Sequence, residues 1–243
     1  VIEIPERIFI TGTDTGVGKT VVTASLARCL VNNGLKVNVI KPFQTGCEES
    51  NVTDIEFIYK VMEKNFDIDK VCPFRLKKSL SPFYASKLEN ISYEISEINN
   101  TLESIMDDDC INLVEGAGGI QVPIMNNYFM SDLAKDHDLK VLIVARPGLG
   151  TVNHTLLTIN MAEARGLDVL GIVVSNYPSD PDLAESTNIS QLRELLEVDI
   201  IGIIPAQDNL DVESGKTSKL AERCQDFFID RLGGNLNIDN FLT

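Results

Sequence analysis

The residues with the greatest chemical capacity lie close together near the start of the chain, in Gly12-Thr13-Asp14-Thr15-Gly16-Val17-Gly18-Lys19-Thr20. Glycines at this density let a backbone curl until successive N–H groups point inward at phosphate oxygens, and a helix N-terminus just beyond adds partial positive charge. Within such a cradle Lys19 supplies a full charge to β- and γ-phosphates, and Thr20 offers a hydroxyl to Mg²⁺. Gly12 stands one residue further from Lys19 than the Gly-x4-Gly-Lys-Thr spacing requires. The context is nonetheless that of a phosphate loop. An apolar run, Arg7–Thr11, precedes it, and a helix-period segment carrying Leu26 and Leu30 follows.

Further polar groups close other apolar runs. Lys41 ends Val39-Ile40-Lys41-Pro42-Phe43-Gln44-Thr45-Gly46, where it would share a rim with Lys19; two lysines there can neutralise a charged transition state, whereas Lys41 alone also reads as a solvated strand end. Glu115 closes Leu113-Val114-Glu115-Gly116-Ala117-Gly118-Gly119, the place for a Mg²⁺ partner, with glycines that permit close backbone approach. Read by itself, Glu115 could equally be a solvated strand end, and Asp54, at a helix start after Asn51-Val52-Thr53, a capping carboxylate. Arg146-Pro147-Gly148-Leu149-Gly150-Thr151-Val152-Asn153 precedes another helix, whose free amides could hold a carboxylate or phosphate; His154 just inside it reads as structural. Ser175-Asn176-Tyr177-Pro178 and Pro205-Ala206-Gln207 could grip a purine edge and face. Asp107-Asp108-Asp109 reads as a solvated loop, because three adjacent carboxylates rarely converge on a metal.

These groups are positioned by a repeating pattern of short apolar runs and helical segments. Strands are expected at Arg7–Thr11, Lys36–Lys41, Ile111–Glu115, Lys140–Ala145, Val169–Ser175 and Ile200–Ile204, most of them apolar on both faces. Between them, Leu26, Ala27, Leu30 and Val31 make one helical stripe ended by Gly34. Leu156, Leu157, Met161 and Ala164 make a second, ended by Gly166, and Ile189, Leu192, Leu195 and Leu196 a third. Alternation of this kind implies βαβ units: an α/β fold with a mostly parallel sheet and helices on both faces, in a single domain over residues 1–243. Asp67–Pro82 reads as an irregular excursion before a helix near Tyr93–Met106, and the polar, Asn-rich tail Gly233–Thr243 as loosely held.

Composition narrows the partners. With 21 Lys and Arg against 36 Asp and Glu, the net charge is −15, which repels nucleic acid and anionic membranes unless the cations cluster. Val141–Ala145 and Val169–Val174 are strand length, not membrane-helix length, and Val1–Arg7 lacks the basic start and apolar stretch of a secretory signal. Cys29, Cys47, Cys72, Cys110 and Cys224 are odd in number and contain no Cys-x-x-Cys pair, which suits free thiols in the cytoplasm. No Asn-Lys-x-Asp guanine reader follows the late strands, and Asp14 occupies the place where partition and division-site ATPases carry an extra Lys.

Taken in order, Gly-Thr-Asp-Thr-Gly-Val-Gly-Lys-Thr, Lys-Pro-Phe-Gln-Thr-Gly, Val-Glu-Gly-Ala-Gly-Gly, Gly-Leu-Gly-Thr-Val-Asn-His, Ser-Asn-Tyr-Pro and Ile-Pro-Ala resemble the dethiobiotin synthetases, ATP-dependent ring-closing ligases of the P-loop NTPase superfamily. The match spans about Arg7 to Gln207, and the long spacing from Gly12 is that family's variant of the loop. The resemblance implies that ATP lies on Gly16, Val17, Gly18, Lys19, Thr20 and Val21, beside Gly116, Ala117 and Gly118, with Mg²⁺ held by Thr20, Asp54 and Glu115. It implies that Lys41 acts with Lys19 at the reacting carbamate and that Thr45 contacts substrate. Gly150, Thr151, Val152 and Asn153 would take the substrate carboxylate across a homodimer interface, and Asn176, Pro205, Ala206 and Gln207, with Glu213, would line the adenine pocket. The implied reaction is carboxylation and closure of 7,8-diaminononanoate with CO₂ or bicarbonate. Two departures stand out: Gly16 where some relatives have Glu, and Tyr177 where many have Asp. A cobyrinate-type amidotransferase ligase and a regulatory ATPase with a protein partner are the alternatives; the first usually carries a glutaminase domain for which 243 residues leave no room.

Overall fold

The computed structural model describes residues 3–47 and 53–242. Residues 1–2, and the Asn51-Val52 that precede Thr53, lie outside them. In chain order the first half runs β1 (Arg7–Gly12), α1 (Lys19–Asn32), β2 (Val37–Ile40), β3 (Phe43–Gln44), α2 (Asp54–Met62), α3 (Ile68–Val71), β4 (Phe74–Arg75), α4 (Pro82–Leu88), α5 (Ile95–Ile105) and β5 (Ile111–Gly119). The second half runs β6 (Pro123–Met125), β7 (Tyr128–Phe129), α6 (Met130–Asp136), β8 (Lys140–Ala145), α7 (Thr151–Ala164), β9 (Val169–Tyr177), α8 (Leu183–Leu195), β10 (Ile200–Pro205), β11 (Leu210–Asp211), β12 (Lys216–Thr217) and α9 (Leu220–Arg223).

Six strands form one all-parallel sheet in the order β10-β9-β8-β1-β5-β2. The doubly apolar strands explain why it is covered on both sides. Ile8 and Ile10 of β1, with Leu113, Leu142 and Val144, pack into a core shared with α1 and α2. Phe9, Val114, Val141 and Ile143 point the other way, into a core shared with α5, α6 and α7. β1 is central, so the loop leaving it emerges at the middle of the sheet's carboxyl edge, where ligands of open α/β sheets bind.

Two helical stripes differ from the sequence pattern. α7 buries Thr151, Thr155, Thr158, Ile159 and Ala162, leaving Leu157 59% and Met161 37% exposed; in α8 the inward face is Asn188, Ile189 and Leu192, with Leu195 outside. Both helices were phased by their large aliphatics, but small Thr and Ala side chains let α7 lie close to the sheet. The tail is seated rather than loose. Leu236, Ile238, Phe241 and Leu242 pack on the core between β9, β10 and α8, Phe241 meets Tyr177 edge-on at 5.4 Å, and Leu236 N donates to Phe228 O. A polar composition hid four well-spaced apolar anchors. All five cysteines are free thiols.

Candidate functional site

The loop between β1 and α1 is shaped by glycine at specific points. A Cβ on Gly12 would lie 2.7 Å from Asp14 O and 2.8 Å from Val17 Cγ2, and one on Gly18 would lie 2.4 Å from Ser175 Oγ. Gly18 caps α1 with φ +96°, and no side chain caps that end nor does any acid sit in the first turn. The positive end of α1 therefore faces the loop with no acid of its own first turn beside it. Lys19 is buried here, and burial holds its ammonium below the ordinary lysine range, with the Glu115 carboxylate partly opposing this and Lys41 adding to it.

Lys41 comes in from the neighbouring side. It has left the β2 ladder, and its N–H donates to Val71 O at 2.8 Å, which turns its side chain inward. Its Nζ donates to Asp54 Oδ2 and, at 2.7 Å, to Glu115 Oε1. Thr20 Oγ1 donates to the same Glu115 oxygen at 3.1 Å, and Thr23 Oγ1 donates to Glu115 Oε2 at 2.6 Å. Burial depresses the Lys41 ammonium, but Glu115 and Asp54 override it and hold the group above the usual lysine range. For Asp54 burial pushes the carboxyl up, and Lys41 more than reverses this, leaving it below the carboxylate range. The result is a buried cation with two buried or half-buried carboxylates, each stabilising the other's charge.

Asp54 is placed by its helix. Thr53 is the N-cap of α2 in a full capping box with Glu56, which leaves the Asp54 carboxylate free to face Lys41. A cavity of 560 Å³ opens over this cluster, lined by Thr15, Gly16 and the run from Gly18 to Val21, by Lys41, Thr45, Asp54 and Glu115, and by Ala117 and Gly118. A smaller adjoining cavity of 150 Å³ is bounded by Gly16, Val17, Gly18 and Val21 on one side and Asn176 and Pro205 on the other. Asn176 sits there with φ +61°, a left-handed conformation Asn tolerates.

Several expected residues lie elsewhere. Gly116 does not line the large cavity: the Phe9 ring fills the space where its Cβ would be, at 2.6 Å, so this glycine serves strand packing. Ala206 and Gln207 do not line the small cavity; Ala206 N donates to Tyr177 O and Gln207 Nε2 to Pro205 O. Glu213 lines the large cavity, not the small one. Gly150, Thr151, Val152 and Asn153 line neither. They open α7 with Gly150 at φ +89°, beside a third cavity of 440 Å³ bounded by Asp14, Thr15, His154, Leu157 and Met161. Thr15 is the wall shared by that cavity and the one holding Lys41.

Some site residues were not anticipated. Thr23, one helical turn past Thr20, is signalled only by the 3.6-residue period of α1. Arg146 bridges the loop and α7, its Nη2 donating to His154 Nδ1 at 3.0 Å and lying 3.8 Å from Asp14 Oδ2. Lys77 and Ser79, from the irregular excursion, line the large cavity, as does Val212.

Thr20, Asp54 and Glu115 offer hard oxygens at one point. Among the described residues no group of three or more His, Cys, Asp or Glu could hold a metal unaided. That donor set fits Mg²⁺, which takes one or two carboxylates and completes its shell with phosphate oxygens and water.

Residues 6–214 match the AAA domain family. Among curated relatives, the ATP-dependent dethiobiotin synthetase of Thermodesulfovibrio yellowstonii is 38% identical over 223 residues, covering 86% of this chain and 93% of that one. The corresponding Bacillus subtilis protein is 37% identical over 207 residues (85% and 90%), and that of Methanocaldococcus jannaschii 36% over 217 (86% and 98%). Among solved structures, a ParA family ATPase from Chlorobium tepidum superposes with TM-score 0.55 at 11% identity, covering 94% of this chain and 96% of that one. The MinC:MinD cell division complex of Aquifex aeolicus gives 0.54 at 18%, covering 89% and 85%. At those identities the superpositions speak for a P-loop fold alone.

Proposed function

The chain belongs to the dethiobiotin synthetase family, and we propose that the Lys41 cluster is its reaction centre. The enzyme is an ATP-dependent cyclo-ligase: it carboxylates 7,8-diaminononanoate and closes the ureido ring of dethiobiotin, releasing ADP and phosphate. The observation that carries the assignment of residues is the convergence of Lys19, Thr20, Lys41, Asp54 and Glu115 on one cavity over the loop.

One amine of the substrate captures CO₂ as a carbamate, a carbamate oxygen attacks the γ-phosphate in line, and the second amine then closes the ring and expels phosphate. Such phosphoryl transfer is governed by positioning and by neutralisation of charge spread over the equatorial oxygens. The loop amides from Gly16 to Val21 and the Lys19 ammonium hold the β- and γ-phosphates. Thr20, Asp54 and Glu115 would hold Mg²⁺, which would supply charge neutralisation for the phosphoryl group. Thr23 fixes the Glu115 carboxylate in orientation. Lys41, held at the cavity by Asp54 and Glu115, places its ammonium where it can offset the charge that builds between the carbamate oxygen and the transferred phosphoryl group. Thr45 orients the acceptor. Asn176 and Pro205 bound the base-binding cavity.

We further propose a homodimer in the cytoplasm in which Gly150–Asn153 of one copy receives the substrate carboxylate lying over Lys41 of the other. The separation of those residues from the Lys41 cavity supports a site completed by a second copy. So do the outward-facing Leu149 (81% exposed), Leu157 and Met161 around them. Among the described residues no helix is long and apolar enough to cross a membrane.

ADP release measured with and without 7,8-diaminononanoate and bicarbonate tests the reaction. Release that needs both is expected. Release driven by glutamine or by a protein partner instead would overturn the reading.

A further inference from the structure

We propose that Lys77 is a substrate-binding residue of this enzyme, its ammonium taking the anionic oxygens of the carbamate with the hydroxyls of Ser79 and Thr45 beside it. The inference rests on the reaction assigned above and adds a third lysine to it.

Lys77 belongs to an irregular stretch that nothing in the loop chemistry accounts for, yet that stretch is built onto the site. β3 and β4 pair in parallel through Phe43–Phe74 and Gln44–Arg75. Beyond the ladder the pairing continues: Leu76 N donates to Gln44 O at 2.8 Å, Cys47 N to Leu76 O at 3.0 Å and Gly46 N to Lys78 O at 3.2 Å. Lys77 is therefore held between two backbone anchors on the segment carrying Thr45. Leu76 is buried, and Lys77, in the bend that follows β4, lines the cavity with Thr45, Gly46 and Ser79. The neighbouring cations are engaged elsewhere: Arg75 donates to Cys72 O and Asp69, and Lys78 does not line the cavity.

Charge identifies the ligand. Among the described residues the cavity carries Lys19, Lys41 and Lys77 against Asp54, Glu115 and Glu213. Lys41 is bonded to two of those carboxylates, whereas Lys77 has no carboxylate within ion-pair distance among the described residues. Lys19 rises from the phosphate loop itself. Lys77 comes not from that loop but from the segment paired with the one carrying Thr45, so an acceptor seated against Thr45 would meet it. The free diamine presents only neutral or protonated amines to that segment; as the carbamate it brings a negative charge there for the first time. An ammonium there binds the carboxylated acceptor in preference to the free diamine.

The test compares wild type with Lys77→Met, Lys77→Arg and, as a surface control, Lys78→Met, in steady-state ADP release. Lys77→Met is expected to raise KM for diaminononanoate at fixed bicarbonate about tenfold, the size of a charge-assisted hydrogen bond reduced by solvent exposure. KM for ATP should move less than about twofold, because a contact made only to the acceptor leaves nucleotide binding alone. Lys77→Arg should restore most of the loss and Lys78→Met should match wild type. The acceptor KM of wild type should rise with salt and that of Lys77→Met should not. The same diamine lacking its carboxylate provides a further arm, on which the Lys77→Met loss should persist. If it vanishes there, Lys77 holds the carboxylate tail and the proposal fails. An equal rise in ATP KM, or an unchanged acceptor KM, also overturns it. If wild type itself shows no turnover dependent on both diamine and bicarbonate, the reaction assignment falls and Lys77 with it. If wild type turns over normally, failure of the variants removes Lys77 alone.

Discussion

Replacing Lys41 with Met tests whether its cation holds the site together before any ligand arrives. Glu115 is 0% exposed and Asp54 is only partly open, and both rely on the Lys41 ammonium, itself 4% exposed. Removing one partner of a buried pair leaves an uncompensated charge, a cost of about 3–5 kcal/mol; Thr20 and Thr23 still bond Glu115, and Asp54 can hydrate, so about 3 kcal/mol is expected. For a chain of 243 residues that lowers Tm by about 6–12 °C, at roughly 2–4 °C per kcal/mol. The pH dependence has a fixed sign. Asp54 is depressed in the folded protein, so its pairing contributes stability above the unfolded carboxylate value and loses it as pH falls through the folded one. The gap between wild type and Lys41→Met should thus be widest near neutrality and close in acid. Mg²⁺ without nucleotide should recover much of the lost Tm in the variant, and far less in wild type, where Lys41 already occupies both carboxylates. Scanning calorimetry or fluorimetry across pH, with and without Mg²⁺, reads all three effects. A variant that melts within about a degree of wild type at neutral pH and ignores Mg²⁺ refutes the picture of a cation standing where the metal goes. The same substitution should lower kcat by about 10²-fold or more, as for loss of one preorganised electrostatic group.

Three further outcomes follow from the geometry. Burial holds Lys19 below the ordinary lysine range, so kcat/KM for ATP should fall on the alkaline side as the free enzyme loses that proton, while kcat, measured with phosphate against the ammonium, should hold to higher pH. Thr23→Val removes the donor to Glu115 Oε2; a cost of about 1 kcal/mol in stability and a higher Mg²⁺ requirement are expected, and an unchanged Mg²⁺ titration would deny Thr23 a role in orienting Glu115. Leu157→Asp places a charge on the open face of α7, where sedimentation should show dissociation to monomer and activity should fall with the oligomer; a dimer that survives the change lies on another face.

The sheet was readable in the sequence because buried parallel strands are apolar on both faces, and that signal depends on neither register nor partner. Lys140–Ala145 ends where expected, and Arg7, Ile111, Val169 and Ile200 each begin a strand as anticipated. Apart from β2, which starts at Val37 rather than Lys36, the differences lie at the carboxyl ends. β5 runs on through glycines to Gly119 and β9 to Tyr177, since backbone pairing continues past the last aliphatic side chain. Lys19, Thr20, Asp54 and Glu115, chosen in the sequence because phosphate and Mg²⁺ demand those types at the starts of helices and the ends of strands, come together on one cavity. Gly116 has Phe9 packed where its Cβ would be and does not line the cavity, a distinction sequence cannot make, because a glycine near a ligand and one under a phenyl ring look alike there. Lys77 left no local trace at all: it joins the site through the pairing of β3 with β4, thirty-odd residues apart in the chain, which no periodicity records.

An enzyme with net charge −15 must bind a triphosphate and then a carbamate, and the structure resolves the conflict by distance. At physiological salt the field of surface carboxylates decays over roughly 8 Å, whereas the loop amides, the end of α1 and the Lys19 ammonium act at contact in a partly dry cavity. Acidic surface therefore costs association rate more than affinity. Inside the cavity the carboxylates Asp54 and Glu115 would repel the nucleotide most strongly, and they are the two that Lys41 neutralises in the free protein. The two carboxylates proposed to hold Mg²⁺ are thus the ones whose charge Lys41 balances, so the protein buries the same number of charges whichever cation they face. The site can then be stable empty and reactive full with one set of residues, and this is why loss of Lys41 should be felt in the melting temperature of the resting protein as well as in turnover.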